Sequence, residues 1–365
     1  MAISVINDLV NTCVLCESSD IQPLDTRSEI AQNRTAAFEF VFEDCLCRSC
    51  GFVFSRTRPR NHYLEQYYRD YFLSMSTIPE SEAQARAALI SRYIAPGSSI
   101  LEIGGGHGTF QKFLIDRGYE VENYDLSTGQ ITQERYDAVC HYYVMEHVTD
   151  PKRWLADQVS KIRKGGHLIL EVPNFFRHPT ESLNNEHLNH FRPLDIESIF
   201  QSVGLRCEAL FDESAGRYFG QIGVGKKENS GKNTLKNGEC ISGIVQRYNQ
   251  LKQHEDRLQS EVMSFIYPLG GNNTIHPKVG LWPANQMTLK IIKIFRRLGI
   301  CPSTIIDIDP EKQGIWWAGI CPVEAPSENA VADLDVFVTL SPRHGQKIKE
   351  SLAALGFNED RIIAL

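Results

Sequence analysis

The stretch Ile100-Leu101-Glu102-Ile103-Gly104-Gly105-Gly106-His107-Gly108 carries an apolar run directly into a glycine-rich turn, and residues 109–117 after it have helical character. Strand, turn and helix in that order make a ligand cradle. Glycines let the backbone turn sharply and lie against a ligand, while the helix offers its unpaired N-terminal amides. Gly104, Gly106 and Gly108 are therefore expected to touch a cofactor, with Glu102 beside them. Seventeen residues after Gly108, Asp125 closes the next expected strand, 120–124, where a carboxylate can accept from both ribose hydroxyls. Turn and acid together mark a cofactor that carries a nucleoside.

Outward from this unit the chain alternates. Strands are expected over 99–103, 120–124, 136–140, 167–172, 207–211 and 221–224, and helices over 81–93, 109–117, 151–162 and 194–203. That alternation predicts a mostly parallel, doubly wound α/β sheet. Residues 226–238 are polar and rich in Gly, Asn and Lys, the composition of a linker or exposed loop. A polar helix over 241–265 follows. Beyond it, strands 278–281, 304–308, 335–340 and 361–364 and helices 287–298 and 346–355 make half of a second Rossmann-like unit. The expected division is a head, 1–75; a cofactor domain, 76–228; a linker and helix, 229–268; and a C-terminal α/β domain, 269–365.

In the head, Cys13-Val-Leu-Cys16 and Cys47-Arg-Ser-Cys50 are two C-x2-C pairs, and Gly51 can take the positive φ such a knuckle needs. Four thiolates at this spacing predict a small zinc ribbon whose closed tetrahedral site is structural. Reduced thiols without a metal are the alternative, and Cys45, beside the second pair, competes as a ligand. The segment 61–75 places Tyr63, Tyr67, Tyr68, Tyr71 and Phe72 at roughly helical spacing, a core stripe from which one tyrosine can also reach over a substrate.

The 365 residues carry a net charge of -7, with 42% hydrophobic and 23% charged side chains. This is an ordinary globular mix with no electrostatic reason to meet nucleic acid or an anionic membrane. No run approaches the ~18 to 20 apolar residues of a membrane span, and residues 1–12 lack the features of a secretory signal. A cytoplasmic protein acting on a small molecule is expected.

Glu102 before the glycines, then Tyr136-Asp137-Ala138-Val139, Val144-Met145-Glu146-His147-Val148 and Lys164-Gly165-Gly166-His167, resemble in order the class I S-adenosylmethionine methyltransferases over 98–224. The resemblance implies S-adenosylmethionine as cofactor. Only ten residues separate Asp125 from Tyr136, so the helix and strand that usually supply adenine contacts are missing or minimal. His141 and Tyr142 either line the pocket near the sulfonium or pack at a strand end. Glu146 and His147 are expected to organise the start of the next helix.

The loop 175–191 is rich in His, Asn and Glu, and Glu186 and His187 stand side by side in it, with His190 three residues on. A carboxylate-polarised imidazole suits a general base. The head, the core, this Glu-His pair and the tail Ile306-Asp307-Ile308-Asp309-Pro310-Glu311-Lys312-Gln313-Gly314 together resemble the sugar C-methyltransferases of deoxysugar pathways. That resemblance implies methylation of a carbon beside the ketone of a nucleotide-linked 4-keto sugar, with Glu186 and His187 in the base chemistry. Two positions depart from it. Asn184 and Asn185 replace the family's tyrosine and histidine, and Gly280-Leu281-Trp282-Pro283-Ala284-Asn285-Gln286 has lost most glycines of the tail's nucleotide-like turn. O- or N-methylation of a sugar or secondary metabolite, and a non-catalytic binding protein of the same fold, are the competing readings.

Overall fold

In the head, phenylalanines at every second position, Phe38, Phe40 and Phe42, put one face of a strand in the interior. In the computed structural model, which describes residues 2–71, 78–126, 131–177, 186–212, 220–228, 241–266, 277–339 and 345–364, these residues lie on β4. The head holds β1 (Ile3–Ser4), β2 (Asn7–Leu9), β3 (Ile21–Gln32), β4 (Ala37–Cys47), β5 (Val53–Ser55), β6 (Thr57–Pro59) and helix α1 (Asn61–Arg69). β3 and β4 form a long antiparallel hairpin, and Tyr67 of α1 packs edge-on against Phe38 and Phe40.

The middle of the chain runs through α2 (Glu80–Ile90), β7 (Ser99–Ile103), α3 (Thr109–Ile115), β8 (Glu120–Tyr124), β9 (Tyr136–Tyr142), a 3-10 turn (Met145–His147), α4 (Pro151–Ser160) and β10 (Ile162–Pro173). It continues with β11 (Asn189–His190), α5 (Pro193–Ser202), β12 (Leu205–Phe211) and β13 (Gly220–Lys227). The central sheet has the order β12-β13-β10-β9-β7-β8. Strands β7 to β10 are parallel, whereas β13 lies antiparallel to both β10 and β12. β8 is the edge: among the described residues no strand lies outside it, in keeping with the short spacing between Asp125 and Tyr136.

Helix α6 (Ile241–Ile266) leads to β14 (Val279–Trp282), α7 (Gln286–Arg297), β15 (Thr304–Ile306), β16 (Trp316–Trp317), β17 (Cys321–Glu324), α8 (Glu328–Val331), β18 (Val336–Thr339), α9 (Gly345–Ala354) and β19 (Ile362–Ala364). Their sheet, in the order β16-β17-β15-β14-β18-β19, is parallel except for β16. The Asn285 side chain caps α7 by accepting from the Thr288 amide at 2.9 Å. Its buried face, which includes Leu289, Ile292 and Phe295, covers the sheet.

The segments do not bury separate cores. Cys13, Cys47 and Phe52 of the head share one cluster with Leu101, Leu170 and Phe191, while Ile30 and Ala37 share another with Val279 and Phe295. The head's sheet also takes a strand from the middle of the chain, because β11 pairs antiparallel with β5, Asn189 opposite Phe54. No described helix is long and apolar enough to cross a membrane. Most of the expected linker, and Asn184 and Asn185, lie outside the described residues.

Candidate active site

At the C-terminal end of β7 the backbone adopts positive φ at Gly104 (73°), Gly106 (51°) and Gly108 (72°). Gly105 has a different reason to be glycine: an added Cβ would lie 2.4 Å from the Glu102 carboxyl carbon. The turn is tied to the next strand, since the Gly104 amide donates to the Tyr124 carbonyl at 2.8 Å and the Gly106 amide donates to Asp125 Oδ2 at 3.2 Å. Thus Glu102, Gly104, Gly106, Gly108 and Asp125 gather at one end of the sheet. Burial pushes the Glu102 carboxyl up to about 7, against the pull of the Arg86 guanidinium.

His141 lies next to the end of β9, opposite Ile103, and is fully buried, its ring edge-on to Trp154 of α4 at 4.8 Å. Burial lowers its pKa to about 3, so the ring stays neutral. Its place is in the layer between sheet and α4.

Where the head meets the middle of the chain, Phe40, Phe42, Leu64, Tyr67, Tyr68 and Leu188 pack around Glu186. Glu186 is the acid among these aromatic and aliphatic groups. Its Oε1 accepts from the Tyr67 hydroxyl and from Gln286 Nε2 at 2.5 Å, and its Oε2 accepts from the Tyr68 hydroxyl at 3.2 Å. Gln286 Nε2 also reaches the Tyr67 oxygen at 3.0 Å. Burial pushes the carboxyl up to about 7, opposed by the two tyrosine hydroxyls, while burial and Glu186 push both phenols up. Three segments of the chain therefore converge on one carboxylate.

His187, its neighbour, turns to a different partner: its ring lies edge-on to His147 at 4.9 Å. The backbone here is held from the head, because Arg27 Nη2 donates to the His187 carbonyl at 2.8 Å. Arg27 in turn pairs with Asp44 at 2.8 Å, and the Tyr248 hydroxyl of α6 donates to the same Asp44 oxygen. His190, in β11, is fully buried. Tyr67 and Tyr68 were legible only as members of an aromatic stripe, and Gln286 and Arg27 gave no sequence signal.

In the head, Cys13, Cys16, Cys47 and Cys50 meet with their sulfurs all within 4.8 Å of one another. The Cys13 and Cys50 sulfurs are 3.7 Å apart and those of Cys16 and Cys47 3.5 Å apart. Four thiolates at ~2.3 Å around a tetrahedral zinc stand about 3.8 Å from one another, so the donor set fits that ion. Cys45 stays outside, its thiol directed to the Glu43 carbonyl. Gly51 has φ 79°, and a Cβ there would strike Arg192 Nη1 at 2.7 Å.

Residues 61–210 match a family model described as a methyltransferase domain. No curated protein matches the chain. Among solved structures, the chain is similar to 1,6-didemethyltoxoflavin-N1-methyltransferase of Burkholderia thailandensis, with 12% identity over 41% of this chain and 80% of that one and a TM-score of 0.35. It is similar to the CcbJ methyltransferase of Streptomyces caelestis, with 12% identity over 42% and 92% and a TM-score of 0.35. A third similarity is to an S-adenosylmethionine-dependent methyltransferase of Clostridium acetobutylicum, with 9% identity over 46% and 99% and a TM-score of 0.36. The strand order, glycine turn and following acid of the central sheet, within the stretch that matches the methyltransferase-domain model, lead to one conclusion: this part of the chain has the Rossmann-like α/β fold of the class I S-adenosylmethionine methyltransferases.

Proposed function

We propose that the protein methylates carbon beside a carbonyl, on a nucleotide-linked keto sugar or a related natural-product intermediate, with S-adenosylmethionine as donor. The observation that supports this is the Glu186 carboxylate, buried among aromatic side chains and held by Tyr67, Tyr68 and Gln286. An oxygen acceptor can lose its proton late, but a carbon acceptor is no nucleophile until its proton has left. A fixed carboxylate out of water answers that need. Glu186 takes the proton from the carbon beside the carbonyl, the electron pair of the broken C–H bond passes into an enolate, and the enolate carbon then accepts the methyl group.

Bound S-adenosylmethionine supplies that methyl from its sulfonium and leaves as S-adenosylhomocysteine. The Gly104–Gly108 turn and Asp125 would hold its nucleoside and amino-acid parts. The four cysteines of the head would hold a structural zinc.

The test uses a panel of nucleotide-linked 4-keto sugars in deuterated water, first without the methyl donor. Exchange of the hydrogen beside the carbonyl, abolished in Glu186→Gln, is the expected result, followed on adding donor by a product whose new methyl is bonded to carbon in its NMR spectrum. A methyl found on oxygen or nitrogen would replace this reading with heteroatom methylation. Absence of cofactor binding by calorimetry would leave a binding protein.

A further inference from the structure

Two histidines and a carboxylate from two parts of the chain meet beside Glu186. Glu146 and His147 sit on the 3-10 turn after β9, and His187 stands just ahead of β11. One ligating atom from each lies within 4.8 Å of the other two. Glu146 and His187 are buried, and the His147 side chain is 16% exposed, so an opening to one side remains.

One ring nitrogen of His147 is tied to the backbone. Its Nδ1 is 3.2 Å from the Glu186 carbonyl oxygen, which can only accept, so Nδ1 carries the hydrogen. The other ring nitrogen, Nε2, is 3.8 Å from Glu146 Oε1. That distance is too long for a hydrogen bond. Ligand atoms bound to one ion at ~2.1 Å stand about 3.0 to 3.4 Å apart at octahedral or tetrahedral angles, so the group needs to close only slightly around an ion. A ring N–H donated to a backbone carbonyl is also the contact that orients a metal-binding imidazole.

The frame is stiff. Asn189 Nδ2 donates to the carbonyls of Met145, Glu146 and Val148 at 3.2, 3.4 and 2.7 Å, and the Leu188 amide donates to the Glu146 carbonyl at 2.8 Å. The turn that carries two of the donors and the loop that carries the third are thereby locked together.

We propose that Glu146, His147 and His187 bind a first-row divalent transition-metal ion, with its remaining positions open to water or to an oxygen of the acceptor. Two imidazoles and one carboxylate suit manganese, iron, cobalt or zinc better than magnesium or calcium. The site is distinct from the four-cysteine cluster, whose soft thiolates select zinc. In it His187 is a ligand, and Glu186 alone takes the proton. The ion's use, holding and polarising an acceptor oxygen, rests on the proposed methyl transfer; its binding does not.

The test titrates Mn2+ into the 365-residue protein prepared with one zinc per chain, so that only the cysteine cluster is filled, with neither methyl donor nor acceptor present, and follows the free ion by electron paramagnetic resonance. Manganese does not compete for the cysteines, and zinc analysis before and after checks that cluster. One Mn2+ per chain is expected, with His147→Gln and Glu146→Gln each weakening binding at least about tenfold and His167→Gln leaving it unchanged. Pulsed measurements on the wild type should show coupling to imidazole nitrogen, a readout that does not depend on the variants folding. No binding up to about 1 mM, or a bound ion without that coupling, would overturn the site. Because no acceptor is used, this failure is separate from any failure of methyl transfer.

Discussion

Gln286, the first residue of α7, donates to the carboxylate of Glu186 across 2.5 Å, although a hundred positions separate the two in the chain. The C-terminal domain thus supplies a wall of the candidate site. A neutral amide donor on a buried carboxylate fixes the direction of its lone pairs, and a hydrogen bond to a charged group is worth ~1.5 to 3 kcal/mol. Gln286→Ala is expected to slow formation of S-adenosylhomocysteine about tenfold or more with an active acceptor, with cofactor affinity by calorimetry unchanged. Equal rates would show that the contact is incidental.

Asp125 faces the cofactor end and also receives the Gly106 amide. Asp125→Ala should weaken S-adenosylmethionine binding by ~1 to 3 kcal/mol, the value of a charge-assisted acceptor. Gly105→Val is expected to do more damage, because its side chain would enter the space of the Glu102 carboxyl and Asn123 Oδ1. Calorimetric titration of both variants measures this; unchanged affinity in both would move the cofactor elsewhere.

Glu102 gives the clearest pH dependence. Its folded pKa of about 7 lies above the ordinary 4.5, so the folded state holds this proton more tightly than the unfolded one. The carboxyl therefore costs nothing below about 4.5, progressively destabilises the fold as pH rises to 7, and above 7 carries its full penalty, on the order of 3 kcal/mol. Glu102→Gln should be more stable than wild type at pH 8 and nearly equal to it at pH 4.5 in denaturant titrations without cofactor. An offset independent of pH would refute the burial argument.

Zinc analysis of the purified protein should find one ion per chain in the cysteine cluster, and Cys47→Ser should lose it. The head is joined to the candidate base, through β11 on β5 and through Arg192 Nη2 on the Cys50 carbonyl at 2.9 Å. Loss of the ion is therefore expected to lower the melting temperature and to increase amide hydrogen exchange in residues 186–192. Exchange confined to residues 13–60 would show that the head moves independently.

What the sequence disclosed was local. The glycine turn, Asp125, the short spacing that leaves no strand beyond β8 among the described residues, and the paired cysteines are read within short windows, because backbone sterics and ligand geometry dictate residue type at fixed offsets. The long hairpin was half legible: alternating phenylalanines announce β4, whereas β3 mixes Asp25, Arg27 and Glu29 with apolar residues because it pairs with charges on other segments. The partners of Glu186 were not legible. Tyr67 is 119 positions before it and Gln286 a hundred after, and no local rule connects residues brought together only by the packing of three sheets. Even the neighbours Glu186 and His187, which look like one unit on paper, hand their side chains to different partners.

The borrowed strand β11 has a consequence for how the gene is cut. During synthesis the head emerges first, yet its sheet stays open at Val53 and Phe54 until residues 189–190 arrive to cover β5. A fragment ending before them would offer an apolar, hydrogen-bond-hungry edge to any neighbouring copy, the usual starting point for aggregation. The cysteine-bearing head is thus not a portable module, and expression trials that place a boundary near residue 75 should yield insoluble protein where those extending past residue 190 begin to recover it.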